Sequence, residues 1–484
     1  MNRETIARDL QKVVKCEVLY DKQSRDFYSV DASSYLVRPI AIAIPTSEQE
    51  IIKILKYASK NGIPIIPRGA GTGLVGSALG NGIILDLKNF DKIKLGSNCV
   101  EVGGGVYKGN LDKALGKKDL FFAPNPSIGP FCTVGGMIAT NASGSHSLKY
   151  GSVIDNLVGV RIITANGRVI GLPSSLPFAN KIFKMIKPEI EKKFPAVSKN
   201  SCGYRLDRIR TKSDLQKIIA GSEGTLGIIV SAKLRVLPIP RKIMLVILRY
   251  ESLREAAIDS ARIAKIGPSA LELVDKNIAK HIDSNLAKNS EFLLFVEFDS
   301  NLKKSEKELR LILTGGKIIK MLKEKREVKR WWNYRNSALG YSLRIINPIG
   351  SMPTLIEDAT VPVEKLIELV KVIERISKKY DIQLVIYGHA GNGNLHVRPV
   401  LKRVNKKMIK KIATEFFSQV IRIGGSITGE HGDGLARSEF VKLQYGNEVY
   451  SLFEQIKHEF DPKNIFNPDK IITSKSTVTK NLKI

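Results

Sequence analysis

The chain has 484 residues, 77 Lys+Arg against 47 Asp+Glu, and a formal net charge of +30. Hydrophobic residues at 43% and charged residues at 26% exclude a largely disordered chain. The length exceeds what one core holds, so two or three domains are expected.

In chain order, Ile40–Pro45 reads as a strand and SEQEIIKILKYASKNG as a helix, N-capped by Ser47 and ended by Gly62. Ile63–Ile66 and Ile83–Leu87 are the next strands, separated by a glycine-rich loop. After Pro238–Pro240 the pattern restarts. It gives a strand at Ile243–Arg249, a helix at Leu253–Ile266, the run ALELVD and a strand at Phe292–Phe298. A helix at Val363–Tyr380 then precedes a strand at Gln383–Tyr387. The expected fold is α+β. A first domain spans 1–238, and a cap with an antiparallel sheet and helices on one face spans 239–425. A segment at 426–472 packs back to complete the site, and 473–484 forms a tail.

No stretch reaches the roughly 18 uninterrupted apolar residues of a membrane span. MNRETIARDL lacks the apolar core of a signal peptide, which points to a cytoplasmic protein. Cys16, Cys99, Cys132 and Cys202 are widely spaced, without CxxC pairs, so neither zinc nor an iron–sulfur cluster has local cysteine ligands. Scarce glutamine with abundant lysine and isoleucine hints at a thermophile. The positive charge is dispersed. Its densest run, Leu302 to Arg330, carries eleven Lys/Arg and four Glu on what reads as a solvated amphipathic region. With no RNA-binding aromatic signature and no zinc-finger spacing, nucleic acid is not the expected partner.

Pro67–Gly80 reads PRGAGTGLVGSALG, and Gly71, Gly73 and Gly76 satisfy GxGxxG. Only six residues separate Gly76 from the next strand, too few for the crossover helix of a Rossmann unit. The loop suits an anion-binding turn of bare backbone instead, its alternative being a plain surface turn. Two further small-residue segments follow: Gly135 to Gly144 with Lys149-Tyr150-Gly151, and Gly221 to Gly227. Together they allow a long ligand to lie against backbone.

PRGAGTGLVG, CTVGGMIATNASG, KYG and GSEGTLGII resemble the FAD domain of the vanillyl-alcohol oxidase/p-cresol methylhydroxylase superfamily. The resemblance implies a two-part FAD-binding domain. Pro67, Arg68, Gly69, Ala70, Gly71, Thr72, Gly73 and Gly76 would take the phosphates, with Ser77 beside them. Pro124, Ser127, Thr133, Gly136, Ala139, Ala142, Ser143 and Gly144 would line FAD, and Glu223, Gly227 and Ile228 would hold its far end. The first loop has no histidine, so FAD is expected to be non-covalent. His146 reads as a local surface or packing residue.

Three of the six histidines fall in two glycine-studded segments, GHAGNGNLH (Gly388–His396) and GEHGDG (Gly429–Gly434). The seven-residue separation would put His389 and His396 on opposite faces of a straight strand, but Gly391 and Gly393 let the chain turn. Two imidazoles and a carboxylate make a ligand set for a divalent cation, the alternative being turn caps. These segments resemble the HxGDGNLH and GEHGxG signatures of the FAD-linked D-2-hydroxyacid dehydrogenases, of D-lactate, glycolate and D-2-hydroxyglutarate type. The resemblance runs from about residue 30 to Ile472. It implies zinc or manganese on His389, His396 and Glu430, with His431 as base and Asn394 at the substrate. In WNYR it implies Arg335 as carboxylate clamp, with Arg398 and Arg437 as weaker candidates. Asn392 stands where the family usually has Asp.

The expected activity is oxidation of a D-2-hydroxy acid, D-lactate foremost, with a same-fold oxidoreductase acting on glycolate, D-2-hydroxyglutarate or an aldose as the rival. Electrons would pass to a quinone, a cytochrome or an electron-transfer flavoprotein. The chain could serve as a subunit of a larger electron-transfer complex. The charge suits an acidic acceptor or a peripheral contact with the inner face of the membrane.

Overall fold

The computed structural model describes residues 3–174, 176–282, 290–338, 340–342, 356–400 and 405–483. Three larger sheets and a two-stranded one, Leu120–Phe121 with Leu237–Pro238, organise the described residues. The first has four strands in the order Glu17–Leu19, Ala41–Ile44, Ile83–Asp86, Ile65–Arg68. Its inner pairs are parallel and its first pair antiparallel. The helix Glu48–Asn61 crosses from the second strand as the sequence predicts: the Ser47 hydroxyl accepts from Glu50 N–H, and Gly62 ends the helix at φ 63°. Its Ile51, Ile54, Leu55 and Ala58 recur at helical spacing and are fully buried against the sheet. By contrast, the parallel neighbours Ile65–Arg68 and Ile83–Asp86 are joined by the glycine loop, with no helix between them.

The second sheet is antiparallel and ordered Ile93–Leu95, Cys99–Gly103, Ile228–Arg235, Leu157–Ile163, Val169–Leu172. Its central strand, Ile228–Arg235, therefore pairs with segments more than sixty and more than a hundred residues away. The third glycine segment, which leads into this strand, meets the second directly: Gly221 N–H donates to Ile138 O at 3.0 Å and Glu223 N–H to Ala139 O at 2.8 Å.

The third sheet has seven strands, ordered Lys317–Leu322, Met244–Tyr250, Phe292–Phe298, Ala270–Asp275, Gln383–His389, Asn394–Val400, Ala359–Thr360, all antiparallel. The expectation of helices on one face needs correction. Met244, Val246 and Leu248 face a core shared with the helices Leu253–Ala264 and Leu366–Tyr380. Leu245 and Ile247 face a second core that includes Val328, Trp331 and Trp332 of the helix Lys325–Asn336. Both faces are covered because MLVILRY is apolar at successive positions, the pattern of a strand buried on two sides.

Residues 473–483, expected as part of a tail, pack back on the body of the chain. Val478 is fully buried, its carbonyl accepts from Tyr35 Oη at 2.8 Å, and Leu36 N–H donates to Asn481 O at 2.9 Å. Among the described residues no helix is long and apolar enough to cross a membrane.

Candidate functional site

A cavity of about 180 Å³ runs between the first two sheets and the third. Pro67 to Leu74 and Ser77 line one side, Ser127, Thr133, Gly136, Ala139, Ala142 and Ser143 another, and Glu223 and Gly227 a third. At its inner end stand Tyr387, His396, Glu430 and His431. The three glycine segments and two of the histidines thus share one space. At Gly73 and Gly136 an added Cβ would have a single hydroxyl within 4 Å, a close one at Gly136. A Cβ there would first meet Ser77 Oγ at 3.4 Å or Thr133 Oγ1 at 3.1 Å, so a side chain would project into the cavity. The bare backbone forms a cradle of the kind a long, phosphate-bearing cofactor such as FAD requires.

Several expected contacts lie elsewhere. The Arg68 guanidinium donates to Tyr28 O at 3.1 Å and Val30 O at 2.9 Å and lies over the Tyr28 ring. It braces the loop from behind, leaving backbone to the cavity. Gly76 (φ 76°) packs under Leu435 and Tyr35, and Gly144 sits beneath Asn125 O. Pro124 is outside the wall. Ile228 points into the first sheet's core while its neighbours Gly227 and Ile229 line the cavity, because adjacent strand residues face opposite sides. Glu223 directs its carboxylate to the backbone N–H groups of Asp433 (2.5 Å) and Gly434 (2.9 Å). Burial, with Asp433 nearby, pushes its pKa up to about 8.

The histidine cluster is built by a hairpin. Gln383–His389 turns through Ala390–Asn392 and Gly393 into Asn394–Val400, pairing His389 with Asn394 and Tyr387 with His396. Cross-strand partners and second neighbours share a face, so His389, Asn394 and His396 all point the same way. Gly393 is required at the turn, since its φ is 65° and a Cβ would stand 2.1 Å from Val361 O. The GEHGDG loop is gathered by one acid. Asp358 Oδ2 accepts from Thr428 Oγ1 (2.6 Å) and from the N–H groups of Gly429 (3.0 Å), Glu430 (3.0 Å) and His431 (2.8 Å).

Glu430 Oε1 then lies 3.0 Å from His389 Nε2, 3.2 Å from His396 Nε2 and 3.6 Å from His431 Nε2. His389 Nδ1 is 2.8 Å from Glu272 Oε1, and His431 Nδ1 is 2.8 Å from Glu357 Oε1. In these two rings the carboxylate accepts a hydrogen bond from Nδ1–H, which keeps the proton there and leaves Nε2 of the neutral ring with its lone pair. Lone pairs facing a carboxylate oxygen repel unless a cation lies among them. Two ligands at ~2.1 Å from one ion stand ~3.0–3.4 Å apart, the spacing found here. The residues present fit a divalent ion. Asp358, His396, Glu430 and His431 also form a close group, all within 4.8 Å, but Asp358 Oδ2 is already committed to the loop.

Burial, outweighed by Glu357 and Asp358, leaves His431 more basic than a free imidazole. Burial drives His396 down to about 4. The side chain of His431 is 15% exposed against 4% for His389 and His396, so it is the imidazole most open to the cavity.

Arg335, expected as the carboxylate clamp, is buried and ion-paired with Glu272, so it supports His389 from behind. Arg398 and Arg437 both pair with Glu357, at 3.3 and 3.2 Å. Asn394 donates to Asp358 Oδ1 and Ala359 O, and Asn392 bridges Ser147 and Ser198. His146 is more than a packing residue, since its Nε2 is 2.8 Å from Glu297, which also accepts from Trp332 Nε1 at 2.6 Å. Sequence reasoning passed over Glu272, Glu357, Asp358, Lys199 and Tyr387. A lone Glu in the apolar run ALELVD and the adjacent acids Glu357-Asp358 were the available signals for three of them.

Comparison with known proteins gives a consistent picture. Residues 39–172 match the FAD binding domain family, and residues 239–471 match the C-terminal domain of the FAD linked oxidases. The chain is 30% identical to the glycolate oxidase subunit GlcD of Bacillus subtilis, across 92% of this chain and 91% of that protein. It is 31% identical to a D-lactate dehydrogenase of Archaeoglobus fulgidus, across 92% of this chain and 96% of that one. Substrate-bound p-cresol methylhydroxylase superposes with a TM-score of 0.70 at 13% identity, covering 97% of this chain and 96% of that one, a likeness of fold.

Proposed function

The chain belongs to the FAD-linked D-2-hydroxyacid dehydrogenase family of the vanillyl-alcohol oxidase/p-cresol methylhydroxylase superfamily, an FAD-dependent oxidoreductase, and from that premise we propose that it oxidises D-lactate to the 2-oxo acid. The observation that carries this reading is the convergence of three imidazole nitrogens on one oxygen of Glu430, at the inner end of a cavity walled by glycine segments.

Bound in the glycine cradle, FAD supplies the two-electron acceptor. His389, His396 and Glu430 would hold a divalent ion, which would supply charge that acidifies a substrate hydroxyl. The rest is the work of side chains. His431 Nε2 faces the cavity and takes the hydroxyl proton, while Glu357 holds the opposite ring nitrogen and stabilises the resulting imidazolium. Arg398 and Arg437 fix Glu357, and Tyr387, whose hydroxyl accepts from Arg398 Nε at 3.0 Å, closes the wall beside His396. The electrons would leave for a quinone, cytochrome or electron-transfer flavoprotein.

His431→Ala should retain FAD yet bleach with D-lactate at least about a hundredfold more slowly, measured anaerobically by stopped flow. Bleaching at the wild-type rate would remove His431 from the reaction.

A further inference from the structure

The two oxygens of Glu430 live in different surroundings. Oε1 faces the three imidazoles, whereas Oε2 accepts from Ser143 Oγ at 2.5 Å and from Lys199 Nζ at 2.8 Å. Lys199 is buried and has its second partner in Asn394 Oδ1, at 3.4 Å. It sits in a segment that stitches both histidine segments to the FAD-binding half. Ser198 Oγ donates to Asn392 O (3.1 Å), Ser201 N–H to Thr428 O (3.0 Å), Ser201 Oγ to Gly429 O (3.1 Å) and Gly203 N–H to Asp433 Oδ2 (2.8 Å). This web holds the ammonium in place, and Lys199 lies outside the cavity wall.

We propose that Lys199 is a positioning residue that closes Glu430 Oε2, so that the carboxylate offers a divalent cation one oxygen and leaves a coordination position open for the hydroxy acid. The proposal rests on the metal assignment made above. A free carboxylate beside a divalent ion can bind through both oxygens, and each extra protein ligand removes a place for substrate. The lysine prevents this with a charge-assisted hydrogen bond. The same positive charge beside the cation weakens metal binding, so the device trades affinity for an open position.

The sign of that trade gives the test. Zn²⁺ is titrated into metal-stripped, FAD-bound wild type, K199M, K199Q, K199R and E430Q, and Zn K-edge absorption counts the oxygen ligands. K199M and K199Q should bind Zn²⁺ about tenfold tighter, with one added oxygen ligand, and oxalate should perturb their flavin spectrum at least about tenfold less tightly. K199R should resemble wild type. Weaker Zn²⁺ binding or an unchanged oxygen count in K199M and K199Q, with E430Q clearly impaired, overturns the role of Lys199 alone. Equal Zn²⁺ binding by E430Q and wild type overturns the metal assignment itself. Failure of both neutral variants to retain FAD would make Lys199 a folding residue and also overturn the proposal.

Discussion

Glu357 carries more of the site than any ligand does. Its carboxylate is fully buried and takes His431 Nδ1, Arg437 and, on its other oxygen, Arg398. Burial alone would raise its pKa, but His431 and the two arginines hold it well below the usual carboxylate range. Glu357→Gln keeps the shape and removes the charge. The amide can present its NH₂ to Nδ1, which moves the ring proton to Nε2 and blocks the base. Flavin reduction by D-lactate should fall by about 10²–10⁴ with FAD content unchanged. A loss under fivefold would show that the carboxylate charge is unnecessary. His389, His396, Glu430 and His431 were legible because glycine-spaced histidines are rare. The function of Arg335 was not legible. Its partner, Glu272, lies 63 residues away in an apolar strand, and only the third sheet brings the pair together.

Secondary structure near the glycine segments was readable from local chemistry: Ser47 and Gly62 mark the helix between them, and Gly393 marks the hairpin turn. The second sheet was not readable, since its strands meet across long sequence separations and each strand alone is an ordinary β-branched run. The docking of the short helix Ser147–Tyr150 on the third sheet was equally hidden. His146, just before it, bonds Glu297; Lys149 and Tyr150 bond Asp299 at the end of the same strand. Burial opposes the charge on His146, but Glu297, with Glu272 and Asp299 behind it, raises its pKa above the ordinary value of 6.5. The sign follows from linkage. A group whose folded pKa is raised gives its full stabilisation below its unfolded pKa and loses it as pH climbs through the folded one. The Tm of wild type should therefore exceed that of His146→Gln by most near pH 6. The gap should narrow by about 2 °C toward pH 9. Differential scanning fluorimetry across that range measures it, and a constant difference would mean that His146 docks by packing alone.

At the scale of the whole molecule the question is where the +30 resides. The ion pairs framing the histidine cluster are balanced: Glu272, Glu357, Asp358 and Glu430 face Lys199, Arg335, Arg398 and Arg437. The ion pairs of the buried site therefore take none of the excess, and many of the chain's other lysines and arginines are exposed. Composition stated the magnitude of the charge but not its place, because sign and count carry no position. An outer positive field attracts anions to the entire protein and is screened within about 8–10 Å at moderate ionic strength. Electron delivery should then depend on acceptor charge. Reoxidation of the D-lactate-reduced flavoprotein by ferricyanide, an anion, should slow about tenfold as salt rises from about 20 to about 500 mM, while reoxidation by a neutral short-chain quinone should hardly change. The neutral acceptor controls for salt effects on the fold and on the flavin. If both acceptors respond equally, the field plays no part in electron transfer, and the charge is a dispersed property of a lysine-rich surface.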